Sequence, residues 1–215
     1  MKSAARPAAV PAAVPYRKST AREYFESIVI AVVLALFVRT FVFQAFKIPT
    51  GSMEKNLLIG DHLLVNKMVF GPVGSSLERA VMPVRSVVRG DVLVFKYPEE
   101  PTRDFIKRVV GLPGETLELK GTQVYIDGQP LSEPYALYQR LPDMLLPGDV
   151  RRAYGPVTIP EGHYFMMGDN RDDSQDSRYW GYLPAGHIKG RALFVYWSFG
   201  GPDDTRWDRF LHQIH

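Results

Sequence analysis

Asp104-Phe105-Ile106-Lys107-Arg108-Val109-Val110-Gly111 is the stretch on which the fold turns. In an extended chain Phe105, Lys107 and Val109 share one face, while Ile106, Arg108 and Val110 share the other. Its β-branched and aromatic content predicts a strand from Phe105 to Val110. Outward from it, Val92 to Phe95, Leu63 to Val65, Val124 to Ile126, Tyr164 to Met167 and Leu193 to Phe199 carry the same signature between turn residues. Asp127-Gly128 has the chemistry of a two-residue hairpin turn. Seventeen prolines and eighteen glycines also favour a turn-rich β protein over a helical bundle. The expected fold is mainly β and antiparallel, with loops guarding the sheet edges. Residues 132–158 lack a clear period and predict an extended loop insertion. Asp203 to His215 predicts a short amphipathic helix.

The N-terminal part has another character. Residues 1–18 are rich in Ala and Pro and read as a disordered tail. Ile28 to Val38 is an unbroken apolar run, extended past Arg39 to Phe46. As a helix, Ile28 to Phe46 would reach roughly 28 Å, about the thickness of a bilayer core. A buried core helix would show a polar face, and residues 28–38 have none. A cleavable leader would need a small-x-small site, and the small residues of this segment never fall two apart. An uncleaved transmembrane anchor over 24–46 is therefore expected, with Arg39 snorkelling towards the far interface. Five basic residues precede the span, so the positive-inside bias puts 1–23 in the cytoplasm and 47–215 outside.

Charge supports that division. The net charge is +3, and the first 26 residues hold five basic and two acidic groups. Residues 27–215 therefore carry 21 of each sign and lack the basic surplus a nucleic-acid-binding domain needs. With 46% hydrophobic residues the chain can bury a core, which excludes wholesale disorder. Having no cysteine, it has no disulfide, thiolate metal site or cysteine nucleophile.

Candidate chemistry begins directly after the anchor. In Ile48-Pro49-Thr50-Gly51-Ser52-Met53, Pro49 and Gly51 force a tight turn that presents Ser52. A serine hydroxyl needs a base. His62, His163, His187, His212 and His215 form no recognisable triad or metal spacing. Two lysines compete. Ser52-Met53-Glu54-Lys55 matches S-x-x-K, but the S-D-N and K-T-G elements of the enzymes that use that motif occur nowhere in the chain. Lys107 stands between apolar neighbours on its strand, where desolvation lowers a lysine pKa. Taken alone, either lysine reads as a solvated charge. Gly168 to Gly181 is dense in charge, yet Arg171 at the third ligand position from Asp169 and the lack of a glycine at the sixth exclude a calcium loop.

Four blocks in this order resemble bacterial type I signal peptidases, membrane-anchored Ser–Lys proteases that remove signal peptides from exported proteins. They are Ile48 to Asp61, Arg89-Gly90-Asp91 with its strand, Phe105 through Gly114, and Gly168 to Arg178. The resemblance covers about residues 24–215. It implies an antiparallel catalytic β domain of signal-peptidase type with a loop-rich β insertion at about 115–165. It implies Ser52 as nucleophile and Lys107 as neutral general base. The Ser52 amide and Thr50 hydroxyl would form the oxyanion hole, and Ser174 would orient Lys107. Asp169 with Arg108, and Asp176 with Arg178, would be supporting ion pairs. Phe46, Ile48, Met53, Leu57, Leu63, Val94, Phe105 and Ile106 would shape substrate pockets for small side chains at −1 and −3. Where family members usually carry Pro-Thr, this chain has Glu54-Lys55-Asn56, which places charge beside the nucleophile.

The resemblance further implies preproteins with an Ala-x-Ala type site as substrates, no metal or other cofactor, and the bacterial cytoplasmic membrane as location. The partners would be those preproteins and the lipid bilayer. The alternative is a catalytically silent, membrane-anchored module that binds secretory precursors. A self-cleaving repressor would need a DNA-binding domain, which the first 46 residues do not supply.

Overall fold

The computed structural model of the chain describes residues 19–70, 85–140, 146, 148–201 and 204–214. It divides into two compact units, Met1–Val38 and Arg39–His215. The described part of the first is a helix, Thr20–Phe37. Ser19 caps it by accepting from the Arg22 amide, and Glu23 lies in the first turn, where the helix dipole favours an anion. A π-helical turn, Val38–Val42, continues it. The 23 residues from Thr20 to Val42 are long and apolar enough to cross a membrane, and none of this span is buried inside protein. The N-terminal tail expected at 1–18 lies outside the described residues.

The sequence reading carries the helix through Phe46, and here the structure differs. Residues 43–46 belong to a strand, β1 (Phe43–Lys47), in which Phe46 pairs with Leu63. Aromatic residues suit a strand as well as an apolar helix, and a partner strand decides between them.

The following strands are β2 (Asp61–Asn66), β3 (Val92–Lys96), β4 (Asp104–Gly111), β5 (Thr116–Lys120), β6 (Gln123–Ile126) and β7 (Gln129–Pro130). Then come β8 (Ala153–Thr158), β9 (His163–Met167), β10 (Leu183–Pro184), β11 (Ile188–Gly201), β12 (Asp204–Thr205) and β13 (His212–Gln213). Strands β1-β2-β11-β3-β4-β9-β10 form the main sheet in that order, with β12 and β13 against β11. A second sheet runs β7-β6-β5-β8. Every strand pairing is antiparallel among the described residues.

Alternation tells which strands are wet on one face and which are buried on both. β5 reads Thr-Leu-Glu-Leu-Lys and buries only Leu117 and Leu119, as a strand wet on one face should. β3 is buried on both faces from Val92 to Phe95. Val110, Leu117, Leu119, Val124, Ile126, Ile159, Phe165 and Met167 make one core cluster that joins the two sheets. The turn between β6 and β7 takes positive φ at Asp127 and Gly128, the conformation that Asp-Gly hairpins favour.

Two further expectations need correcting. Residues 132–158 are not all loop, since Ala153–Thr158 forms β8 against β5. The C-terminal segment is not a helix: β12, a 3-10 turn at Trp207–Arg209, and β13 replace it. Its aromatic residues pack laterally instead, with Trp197 edge-on to Trp207 at 5.1 Å and to Phe210 at 6.3 Å.

Candidate active site

The turn after β1 is fixed before any chemistry is considered. The Ile48 amide donates to the Asp61 carbonyl at 2.8 Å, and the Gly60 amide donates to the Ile48 carbonyl at 3.0 Å. Ile48, Met53 and Leu57 are buried in one core cluster, so the turn is anchored on both sides of Ser52. Gly51–Met53 is a single 3-10 turn, and Ser52 within it is 7% exposed. The first amides of such a turn lack an internal acceptor, so the Ser52 N–H is available to a ligand. Thr50, just before the turn, is extended and exposed, and its hydroxyl makes no capping bond.

β4 brings Lys107 to this turn. Lys107 is 4% exposed, and its Nζ lies 2.7 Å from Ser52 Oγ and 3.0 Å from the Ile106 carbonyl oxygen. The ammonium also lies 5.3 Å from the Phe105 ring centre. Burial lowers the Lys107 pKa to about 8, against the opposing pull of Asp176 and Asp169, while Arg178 adds to the lowering. Lys55 is exposed, so only one of the two competing lysines meets Ser52.

The charge-dense segment after β9 wraps the pair. Arg108, beside Lys107 in the chain, makes a bidentate pair with Asp169 at 2.8 and 2.7 Å. Arg178 forks onto Asp176 with two 2.8 Å bonds, and the Gly168 amide donates to the same carboxylate at 3.0 Å. Burial pushes the Asp176 carboxyl up, but Arg178, the Gly168 amide and Ser174 outweigh it and hold the group below its ordinary value. Removing one partner of such a buried pair strands a charge and costs about 3–5 kcal/mol.

Ser174 lines the same cleft as Ser52 and Lys107. Its buried hydroxyl makes no bond of hydrogen-bond geometry among the described residues. It packs closely over Gly168, where an added Cβ would come within 2.2 Å of Ser174 Oγ and 2.5 Å of the Ser52 carbonyl oxygen.

Several residues holding the site went unnoticed in the sequence. The Asn170 amide donates to the Ser52 carbonyl and its side chain to the Gly51 carbonyl, each at 3.2 Å. Asn56 Nδ2 donates to Asp169 at 2.6 Å. Arg171 makes a buried bidentate pair with Glu133. A short polar side chain in a polar run gives no periodic signal, so only the fold identifies these partners.

Ser52, Lys107 and Thr50 open on a cleft of about 730 Å³, which Phe105, Ile106, Arg103, Ser174, Gln175 and Tyr179 also line. Of the residues expected to shape substrate pockets, only Phe105 and Ile106 line it. Ile48, Met53, Leu57, Leu63 and Val94 are core residues with at most 2% exposure, and Phe46 is half-buried on β1. The first four belong to the core cluster against which Ile106 packs, so they lie behind the cleft wall. β4 pairs with β3 from Asp104 to Arg108 but with β9 only from Arg108 onward. Among the described residues one edge of Asp104–Lys107 thus has no partner strand, and all four of these residues line the cleft. Among the described residues no group of His, Asp or Glu could hold a metal ion.

The profile of the family described as signal peptidase, peptidase S26, matches residues 21–197. A signal peptidase I of Pseudomonas aeruginosa is 38% identical over 209 residues, covering 84% of this chain and 74% of that protein. One from Leptolyngbya laminosa is 39% identical over 187 residues, covering 83% and 81%. A crystal structure of a signal peptidase I from Enterococcus faecalis is 32% identical and covers 50% of this chain and 97% of its own, with a TM-score of 0.41. With a serine and a buried lysine in contact beneath an open strand edge, and a family match running from the apolar helix into β11, this chain belongs to the signal peptidase family, peptidase S26.

Proposed function

We propose that this protein is a signal peptidase I: a serine endopeptidase that removes N-terminal signal peptides from exported preproteins after a small residue at −1. The observation that carries the mechanism is the 2.7 Å contact between Lys107 Nζ and Ser52 Oγ, made where burial brings the lysine pKa to about 8. A usable fraction of Lys107 is therefore neutral near physiological pH and can accept the Ser52 proton.

An extended substrate adds to the open edge of Asp104–Lys107, so alternate side chains, those at −1 and −3, enter the same face of the cleft. Ser52 Oγ attacks the −1 carbonyl carbon while its proton passes to Lys107. The oxyanion receives hydrogen bonds from the Ser52 amide and the Thr50 hydroxyl. As the C–N bond breaks, the Lys107 ammonium returns the proton to the leaving amine. Lys107 then takes a proton from water, whose oxygen attacks the ester carbon; as the bond from that carbon to Ser52 Oγ breaks, the Lys107 ammonium returns the proton to Oγ and the signal peptide leaves with a new C-terminal carboxyl group. Arg108–Asp169 and Arg178–Asp176 hold the strand and loop in place, and Ser174, which lines the cleft with Lys107, orients the lysine once its hydroxyl turns to the amine.

The helix Thr20–Val42 supports an anchor, with the basic segment before it on the cytoplasmic side and the catalytic unit outside the bacterial cytoplasmic membrane. The lipid bilayer and the preproteins are then the partners. The test incubates the protein, Ser52→Ala and Lys107→Ala with a preprotein bearing an Ala-x-Ala site. Cleavage by the unaltered protein alone is expected. Binding without cleavage by the unaltered protein would favour the silent precursor-binding module.

A further inference from the structure

Asn56 occupies an unusual junction. It lies four residues beyond Ser52 in the loop that leads back to β2, and it is half-buried. Its Nδ2 donates to Asp169 Oδ2 at 2.6 Å and reaches the Tyr135 carbonyl oxygen at 3.4 Å. Its own carbonyl accepts from Arg209 Nη2 at 2.8 Å, and its amide donates to the Met53 carbonyl at 3.1 Å. Asp169 is in turn the bidentate partner of Arg108, the residue next to Lys107. One short side chain thus joins the loop that carries the nucleophile to the strand that carries the base.

We infer that Asn56 is a positioning residue, setting the approach of Ser52 to Lys107 through its bond to the Asp169–Arg108 pair. The inference rests on the proposed Ser–Lys mechanism and deepens it. The far side of the loop is held independently, because Asp61 accepts from Arg209, from Ser198 and from the Leu58 amide. Those bonds fix the loop to β11 and to the 3-10 turn at Trp207–Arg209. They make no contact with Asp169. The Ser52 turn meets the charged segment after β9 through Asn170, but among the described residues of this loop it is the Asn56 side chain that bonds Asp169, the partner of Arg108. An amide suits the place, since it donates to a carboxylate already bound to Arg108 and adds no net charge. A carboxylate at 56 would set two anions against each other in a site where Asp169 is wholly buried.

The charged groups that act on Lys107 are Asp176, Asp169 and Arg178. Loss of the Asn56 amide leaves Asp169 with one donor fewer, so its attraction for the Lys107 proton grows. The test compares kcat, KM and the pH profile of preprotein cleavage for the full-length protein, Asn56→Leu and Asn56→Asp, with Tm measured alongside. Asn56→Leu should lower kcat about 10- to 100-fold with KM changed less than about twofold, as expected for misplaced reacting groups. The acid limb of the profile should move to higher pH in Asn56→Leu and further in Asn56→Asp. Ser198→Ala, which loosens the same loop from its other side, should lower Tm without moving that limb. If Asn56→Leu and Asn56→Asp lose only Tm, with kcat and the acid limb of the folded protein unchanged, the inference is overturned. Absence of cleavage by the unaltered protein would instead defeat the Ser–Lys reading itself.

Discussion

Lys107 carries a cost that its burial makes measurable. Its pKa is about 8 in the folded chain against an ordinary 10.5. Between those values the unfolded chain binds more protons, so stability rises with pH through that window. It is lowest below pH 8, by on the order of 3 kcal/mol. Lys107→Met should therefore raise Tm at pH 7, and the gain should shrink to little by about pH 11; a Tm difference constant from pH 7 to 11 would contradict this. Cleavage by the unaltered protein should increase with pH through about 8, and Lys107→Arg should be inactive throughout, because a guanidinium stays protonated. Thr50→Ala should lose on the order of 100-fold in kcat, and Thr50→Ser should retain most activity; equal rates for Thr50→Ala and the unaltered protein would remove Thr50 from the oxyanion hole. Spacing along the chain could not choose between Lys55 and Lys107. Lys107 is 55 residues from Ser52, and only the sheet brings them together. The roles of Asn56 and Asn170 were hidden for the same reason.

At the scale of elements, the loop after β9 and the turn at Ser52 behave as one packed piece. Gly168 has no positive φ, so the constraint there is space rather than backbone conformation. Gly168→Ala should force Ser174 and the Ser52 turn apart and reduce kcat at least about 100-fold. A kinetic assay showing near-normal kcat would mean that this loop can shift without disturbing the pair. The long strands were legible because their apolar residues alternate or run together: β3, β4, β9 and the middle of β11 all lie where the pattern puts them. β1 was hidden by the apolar helix before it, since Phe43 and Phe46 continue the same composition. β8 contains Gly155 and Pro156, which read as loop, and two-residue strands such as β12 and β13 are too short to show a period.

Across the whole molecule, the three core clusters among the described residues draw on residues from Ile48 to Ile214, and none of their members comes from the helix Thr20–Phe37. A chain beginning at Arg39 should therefore melt within about 2 °C of the full chain in detergent and still cleave a soluble preprotein. A large fall in Tm would show that the helix contributes to the catalytic unit's stability. The balanced charge of 27–215 and the presence of one long apolar segment could be read directly from composition, but not where that segment gives way to strand, since residues 43–46 continue its apolar character. The buried ion pairs could not, because charged residues in a polar run look the same whether they face water or each other. One such pair also acts as a clasp. Asp61 is wholly buried, and its partner Arg209 stands 148 residues later. A contact of that span stabilises nothing until the long loop between its ends has closed. The firmness of the turn that presents Ser52 is thereby tied to completion of the sheet behind it.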